Sequence, residues 1–380
     1  MKDNLTDDKR VKLVDYPRIL RAYMNFTDLI FHAVKLAEEF EFPSNIKVGR
    51  HTIEYGVPSK VLLVGMGGSS IGGEIFREWI KDKLEVPIHI HSDYGLPTDI
   101  DKNTLIIAIS YSGNTEETIS AFIKAVKVGC MAVALTSGGI LKKLAEKLKV
   151  PYVEVPKGLL SRAALPYLFF PLPIILEKLG LDINIKEEIK ETLKVLDKIE
   201  KENNPEVPLN KNPSKKIARE LLGFIPVVYG FRYFHPIAQR MKMQFNENSK
   251  VPSFYNVIPQ LNHDEISGWE ENPLSKFFKL IFIRSSDEPP EIKCRIEVTK
   301  DVLSNRVGGV LEIHAEGDSI LAKMFSVIYV GDLVSIYLAM LRGVNPDVVP
   351  LVSRVKGEVA KRLNIISELK ADIEEMISKS

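Results

Sequence analysis

Two short runs of this chain, Gly65-Met66-Gly67-Gly68-Ser69-Ser70 and Ser110-Tyr111-Ser112-Gly113-Asn114-Thr115, combine glycine with hydroxyl side chains as an anion-binding loop requires. Glycine lets backbone N–H groups approach a ligand closely, and each Ser or Thr hydroxyl donates one hydrogen bond to a phosphate oxygen. Gly68, Ser69, Ser110, Ser112 and Thr115 are therefore the candidate phosphate ligands. Either loop alone reads equally well as a tight turn with an N-cap, since Ser and Thr are ordinary caps. Two such loops in neighbouring units favour the phosphate reading.

The surrounding text shows what must position them. Each loop follows an aliphatic run, Val61-Leu62-Leu63-Val64 or Leu105-Ile106-Ile107-Ala108-Ile109, nearly continuous as in a parallel strand covered on both faces. Each precedes a helix-like segment, 71–81 or 116–128, whose N-terminus favours an anion. Further apolar stretches at 87–91, 130–136 and 152–155 alternate with helical text, after an amphipathic helix expected at 20–42. The pattern is α/β and doubly wound.

Beyond Leu181 a Lys/Glu-rich stretch running to about Lys216 reads as solvated helix and connection. Alternation then resumes. Strands are expected at 225–230, 279–284, 295–298 and 310–314, with a helix ending near Met243 and an apolar helix from Ala322 to Arg342 serving as core or subunit interface. The expected organisation is a domain at 1–185 carrying the loops, a connecting helix and linker at 186–216, and a second, similar domain at 217–380.

Composition narrows the partners. A chain of 380 residues is long for one domain. Lys+Arg total 51 against Asp+Glu 50, which gives no global reason to expect nucleic acid or an acidic membrane. Cys130 and Cys294 are too few for a disulfide framework or a cysteine zinc site and read as two apolar-packed thiols in a reducing compartment. The N-terminal run Met1–Arg10 is polar and mixed in charge, unlike a signal peptide. The greasiest segment, Ala163–Leu176, is short for a membrane span and holds three prolines. A cytoplasmic protein is expected.

Two polar segments in the second half complete a larger pattern, Asn246-Glu247-Asn248-Ser249-Lys250 and Asn262-His263-Asp264-Glu265. Taken with the loops, with Ser161-Arg162 and with Arg354-Val355-Lys356, they make the chain resemble the sugar isomerase (SIS) domain proteins, specifically the archaeal-type bifunctional phosphoglucose/phosphomannose isomerases. The resemblance implies two doubly wound SIS subdomains with parallel central sheets flanked by helices. It implies reversible aldose–ketose exchange of glucose 6-phosphate and mannose 6-phosphate with fructose 6-phosphate through a cis-enediol, without a cofactor or a metal.

By the same resemblance Glu247 is the base that carries the proton between C1 and C2, a task a carboxylate performs in both directions. His263 and Lys356 serve ring opening, and Arg162 stabilises the enediolate as a fixed guanidinium. The family arrangement further implies a homodimer in which His263 acts in the neighbouring subunit's site. One stretch departs from the family, Val344–Pro350, where a small hydroxyl residue often follows the proline. Each residue has an ordinary alternative: Glu247 as a helix cap, His263 in a turn with Asp264, Arg162 in a surface pair, Lys356 on a solvated helix face. It is their joint occurrence, in order, beside two phosphate loops that favours catalysis.

Three other readings remain open on sequence. Gly65-x-Gly67 after a strand, with Asp93 further on, is part of a nicotinamide-dependent dehydrogenase fingerprint, although Ser70 stands where its third glycine belongs and the second loop has no use there. His89, His91 and Asp93 alternate on a strand and could serve a metal-dependent isomerase. The same fold also serves non-catalytic phosphosugar sensing, though no basic helix-turn-helix-like extension accompanies it here.

Overall fold

A computed structural model describes residues 16–49, 51–363, 365, 367–369, 371 and 374. The polar run Met1–Arg10 and the outer ends of the two expected domains lie outside the described residues. The chain divides into two compact units, with boundaries after Thr27, Asn184 and Val349. The middle segment from Asp28 and the stretch from Pro350 form the first unit, and the remainder forms the second. Helix α1 (Arg18–Tyr23) thus belongs to the second unit, while α2 (Phe26–Glu39) leads into the first. The single helix expected at 20–42 is broken between them by a turn at Met24 and Asn25.

In the first unit an antiparallel hairpin, β1 (Asn45–Val48) and β2 (His51–Glu54), precedes the main sheet. Then follow β3 (Lys60–Val64), α3 (Gly68–Ile80), β4 (Ile88–His91), β5 (Thr104–Ser110), α4 (Glu116–Val128), β6 (Met131–Thr136), α5 (Gly139–Leu148), β7 (Tyr152–Glu154), α6 (Leu165–Phe169) and α7 (Pro171–Lys178). The five strands are parallel in the order β4-β3-β5-β6-β7, with Val64 opposite His91 on one side and Ala108 on the other. Every residue of β5 and β6 is buried, which is why both read as unbroken aliphatic text. In the proline-rich segment Pro166 lies in the first turn of α6, and Pro171 and Pro173 lie in that of α7, where a missing N–H costs nothing.

The second unit contains α8 (Lys186–Asn203), α9 (Pro213–Leu221), β8 (Ile225–Phe231), α10 (His235–Gln244), β9 (Phe254–Ile258), β10 (Phe278–Arg284), α11 (Pro290–Leu303), β11 (Val310–His314) and α12 (Ile320–Arg342). Its sheet is also parallel, in the order β11-β10-β8-β9. Helix α12 has a mean hydropathy of 1.8, enough by length and composition to cross a membrane, yet 83% of that window is buried inside the protein. It is the core of this unit, packed against α8, α9 and α10. Arg240 of α10 and Asp332 of α12 form a fully buried ion pair at 2.6 Å, and Tyr23 of α1 hydrogen-bonds both. Finally α13 (Pro350–Arg362) begins the C-terminal part of the first unit.

Other expectations change as well. Residues 186–216 are integral to the second unit, because Ile189, Thr192, Leu196 and Ile199 of α8 are buried and the helix lies on α12. The strand expected at 295–298 is the middle of α11, and β9 is a strand that the alternation did not reveal. Cys130 is buried, and its thiol is pushed up to about 12 by that burial, but Cys294 is exposed on α11 and not apolar-packed.

Candidate active site

In the first unit, β3 and β5 are neighbours, and β4 lies on the far side of β3. The chain therefore leaves β3 and β5 in opposite directions, making the topological switch point where open α/β sheets bind ligands beyond the strands' carboxyl ends. Both Ser/Gly loops stand there. The first is tighter than expected, since α3 begins at Gly68 and Ser69 and Ser70 fall in its first turn. Gly67 turns the chain at φ +55°, and the Ser69 N–H donates to the Met66 carbonyl at 3.1 Å. Ser69 is buried, whereas Ser70 pairs with Ser92, whose hydroxyl reaches the Gly65 carbonyl at 2.8 Å.

The second loop is braced from within. The Ser110 hydroxyl accepts from the Gly113 N–H at 3.1 Å and lies 2.9 Å from the Thr115 hydroxyl, and Thr115 is the N-cap residue of α4. Ser112 is exposed at the tip, accepting from the Asn114 N–H at 3.3 Å. Gly113, at φ +66°, admits no side chain, because a Cβ there would lie 1.8 Å from the Gly138 carbonyl oxygen. That contact identifies a third loop the sequence reading missed, Thr136-Ser137-Gly138-Gly139 after β6. Its Ser137 hydroxyl donates to the Tyr111 carbonyl at 2.7 Å, the Ile140 N–H to Asn114 Oδ1 at 3.1 Å, and the Leu141 N–H to the Gly113 carbonyl at 2.9 Å. Its signal was the same one: hydroxyls and paired glycines after an apolar strand.

Arg162 joins this cradle. It lies buried in a single 3₁₀ turn, Ser161–Ala163, and a Cβ on Gly68 would come within 3.7 Å of its Cα and 3.4 Å of the Ser161 carbonyl oxygen. The backbone of the arginine's turn thus lies against the first loop at ordinary contact distance. Tyr111 steadies the approach: its hydroxyl donates to the Pro156 carbonyl at 2.8 Å and accepts from the Leu159 N–H at 2.9 Å. One residue of the second loop therefore fixes the segment that leads to Arg162. Lys356 lies exposed on α13, a helix with no buried residue. His91 Nε2 is 2.8 Å from the Gly95 carbonyl, and among the described residues no group of three or more His, Cys, Asp or Glu is arranged to hold a metal.

In the second unit, Glu247 sits half-buried in a five-residue π-helical turn, Phe245–Ser249, at the end of α10. Such wide turns recur at functional sites. Lys250, at φ +55°, closes it, and its ammonium donates to the Glu247 carbonyl and, at 2.7 Å, to the Val348 carbonyl. His263 is exposed at the end of a short turn after β9, its N–H donating to the Gln260 carbonyl at 2.9 Å. The neighbouring Glu265 ties this segment to the sheet, accepting from the Tyr229 hydroxyl on β8 and from Asn256 Nδ2 on β9 at 2.8 Å. In the departing stretch Val344–Pro350, Asp347 accepts from the Arg18 and Ile19 N–H groups at 2.8 and 3.0 Å, capping α1.

The family model for the SIS domain matches residues 57–156, and that for the bacterial phospho-glucose isomerase C-terminal SIS domain matches 210–359. A bifunctional phosphoglucose/phosphomannose isomerase of Caldicellulosiruptor bescii is 39% identical over 86% of this chain and 96% of its own length. This chain belongs to the bifunctional phosphoglucose/phosphomannose isomerase family. A second such isomerase, from Thermoplasma volcanium, is 36% identical over 86% of this chain and 97% of its own. Among solved structures, a hypothetical protein from Thermus thermophilus shares the fold at a TM-score of 0.70 and 17% identity, with 90% of each chain covered. In this isomerase-family chain the SIS match spans the strands and helices that carry both Ser/Gly loops, and the C-terminal match spans Glu247, His263 and Lys356.

Proposed function

We propose that the protein interconverts glucose 6-phosphate and mannose 6-phosphate with fructose 6-phosphate. The observation that carries this reading is the braced two-loop cradle at the first sheet's switch point, in a chain that isomerases of that name match along nearly their whole length. Gly68, Ser69, Ser110, Ser112 and Thr115 hold the phosphate through N–H groups, hydroxyls and the α3 and α4 N-termini. No lysine is needed there.

Glu247 removes the C2 proton of the open aldose as the C1–C2 double bond forms and the carbonyl electrons move to O1. It returns that proton to C1 as the O2 proton passes to O1, which becomes the C1 hydroxyl, and C2 becomes the carbonyl. Mannose 6-phosphate differs only in its configuration at C2, so both aldoses meet in one cis-enediol. Arg162, buried in a turn that lies beside Gly68, stabilises the charge on the enediolate oxygens. His263 and Lys356 move the proton between ring oxygen and anomeric hydroxyl, an exchange suited to imidazole. The exposure of His263 is compatible with its action in the neighbouring subunit of a homodimer. A cytoplasmic setting belongs to the same proposal.

The test is direct. Chelator-treated protein incubated with fructose 6-phosphate is expected to yield both aldose 6-phosphates. Glucose 6-phosphate alone narrows the activity to one epimer. No product, with phosphosugar binding retained, moves the protein to the sensing class.

A further inference from the structure

Resting on the reading of Glu247 as the proton carrier, we propose that Ser335, in the middle of α12, is a positioning residue that fixes the turn presenting that carboxylate. The two residues after Glu247 are fully buried and bond to this one serine. Asn248 Nδ2 donates to Ser335 Oγ at 2.9 Å, and the Ser249 hydroxyl donates to the Ser335 carbonyl at 2.6 Å. The Ser335 hydroxyl donates in turn to the Asp332 carbonyl at 2.6 Å, which orients its lone pairs toward Asn248. Asp332 is itself held by Arg240 in the middle of α10, so the helix that leads into the turn is tied to α12 as well as the turn itself.

A π-helical turn needs this support, because its wider ring surrenders the regular hydrogen-bond ladder that would fix the side-chain directions of an α-helix. Ser335 acts through Asn248, the residue next to Glu247. Replacing Ser335 by alanine keeps the backbone carbonyl that Ser249 uses and removes the hydroxyl that accepts from Asn248 and donates to the Asp332 carbonyl. Asn248 then loses this bond to α12, and the turn relaxes. Phosphate binding, made by residues of the first unit, has no part in this.

The test compares Ser335→Ala, Asn248→Ala, the double variant and Glu247→Gln in the full-length protein, reading kcat and KM for fructose 6-phosphate and thermal stability. Each single alanine variant is expected to lower kcat on the order of tenfold to a hundredfold, the cost of a small misplacement, with KM within about threefold of wild type. The double variant should fall no lower than the more affected single one, because both remove the same bond. Wild-type kcat in Ser335→Ala beside an inactive Glu247→Gln overturns the positioning role and leaves the base reading standing. Wild-type turnover in Glu247→Gln overturns the base reading itself. Additive losses in the double variant also overturn the latch. Should Ser335→Ala fail to fold, Asn248→Ala removes the bond from the turn side with α12 intact and carries the same expectation.

Discussion

The two sheets repeat one strand order, β4-β3-β5-β6 in the first unit and β9-β8-β10-β11 in the second, yet their carboxyl ends are chemically opposite. Even the turns correspond. Gly65-x-Gly67 follows β3 with Gly67 at φ +55°, and Gly230-x-Arg232 ends β8 with Arg232 at φ +46°. Both first glycines are crowded, since a Cβ would lie 3.0 Å from the Ser69 Cβ at Gly65 and 2.6 Å from the Phe234 carbonyl oxygen at Gly230. The next crossover differs. After β5 come small hydroxyls and glycine. After β10, Arg284 is locked by Glu288 and Glu297, each at 2.7 Å, and by Glu312, while Asp287 accepts from Tyr233 at 2.8 Å and pairs with Lys323 at 3.2 Å. Both sheets have the same switch point, with small hydroxyls and glycine at one and carboxylates held in ion pairs at the other. The second unit offers its polar groups elsewhere, on the π-helical turn and the His263 segment.

If the units divide binding from proton transfer in this way, variants should separate the two. Glu247→Gln is expected to have the largest effect, lowering kcat by about 10²–10⁴-fold, the usual contribution of a positioned base, with KM nearly unchanged. Activity within a few-fold of wild type would remove the assignment. Gly113→Ala comes next, and its effect belongs to binding. The overlap with the Gly138 carbonyl and the positive φ together force the loop to move, a strain of about 1–3 kcal/mol or more, so KM should rise at least about tenfold. An unchanged KM would show that the second loop does not hold the phosphate. Ser112→Ala keeps Gly113 and the Ser110 brace and removes one exposed hydroxyl, together with its 3.3 Å bond from the Asn114 N–H, which weakens inorganic phosphate and substrate binding by about 1.5–3 kcal/mol. Titration of each ligand checks it.

How far this division could be read beforehand follows from what each element depends on. The span expected for α4 agrees with the structure, Glu116–Val128, because both ends carry local signals, Thr115 at the N-cap and left-handed Gly129 after it. The strands β3, β5 and β6 showed through because burial on both faces writes itself as aliphatic text. Strand β9 did not, since Phe254–Ile258 lies between Pro252 and Pro259 at the sheet's edge and is only partly buried. Ile296 and Val298 lie in the strand expected at 295–298, whereas Pro290 starts a helix through them. The loop residues of the cradle were legible from composition alone. Its bracing by the Gly138 loop, the seating of Arg162 on Gly68 and the bonds to Ser335 were not, because each joins segments distant in sequence and no local pattern marks them.

The smallest effect is expected at the acidic end, and it tests whether that end is structural alone. Hydrogen bonds from Lys300 at 2.9 Å and Arg284 at 2.7 Å hold the Glu297 carboxyl below its ordinary range. A carboxyl with a lowered folded-state pKa adds stability above its unfolded value, near 4.3, and loses that contribution as pH falls through the folded value. Glu297 is nearly half exposed, so Glu297→Gln should cost only about 0.2–1 kcal/mol at neutral pH. The difference in melting temperature from wild type should shrink in acid, once the wild-type carboxyl is protonated too. KM for fructose 6-phosphate should not move. A lower KM on removing this charge would mean that the acidic end acts on the phosphosugar after all, and the contrast between the two sheet ends would then be one of degree.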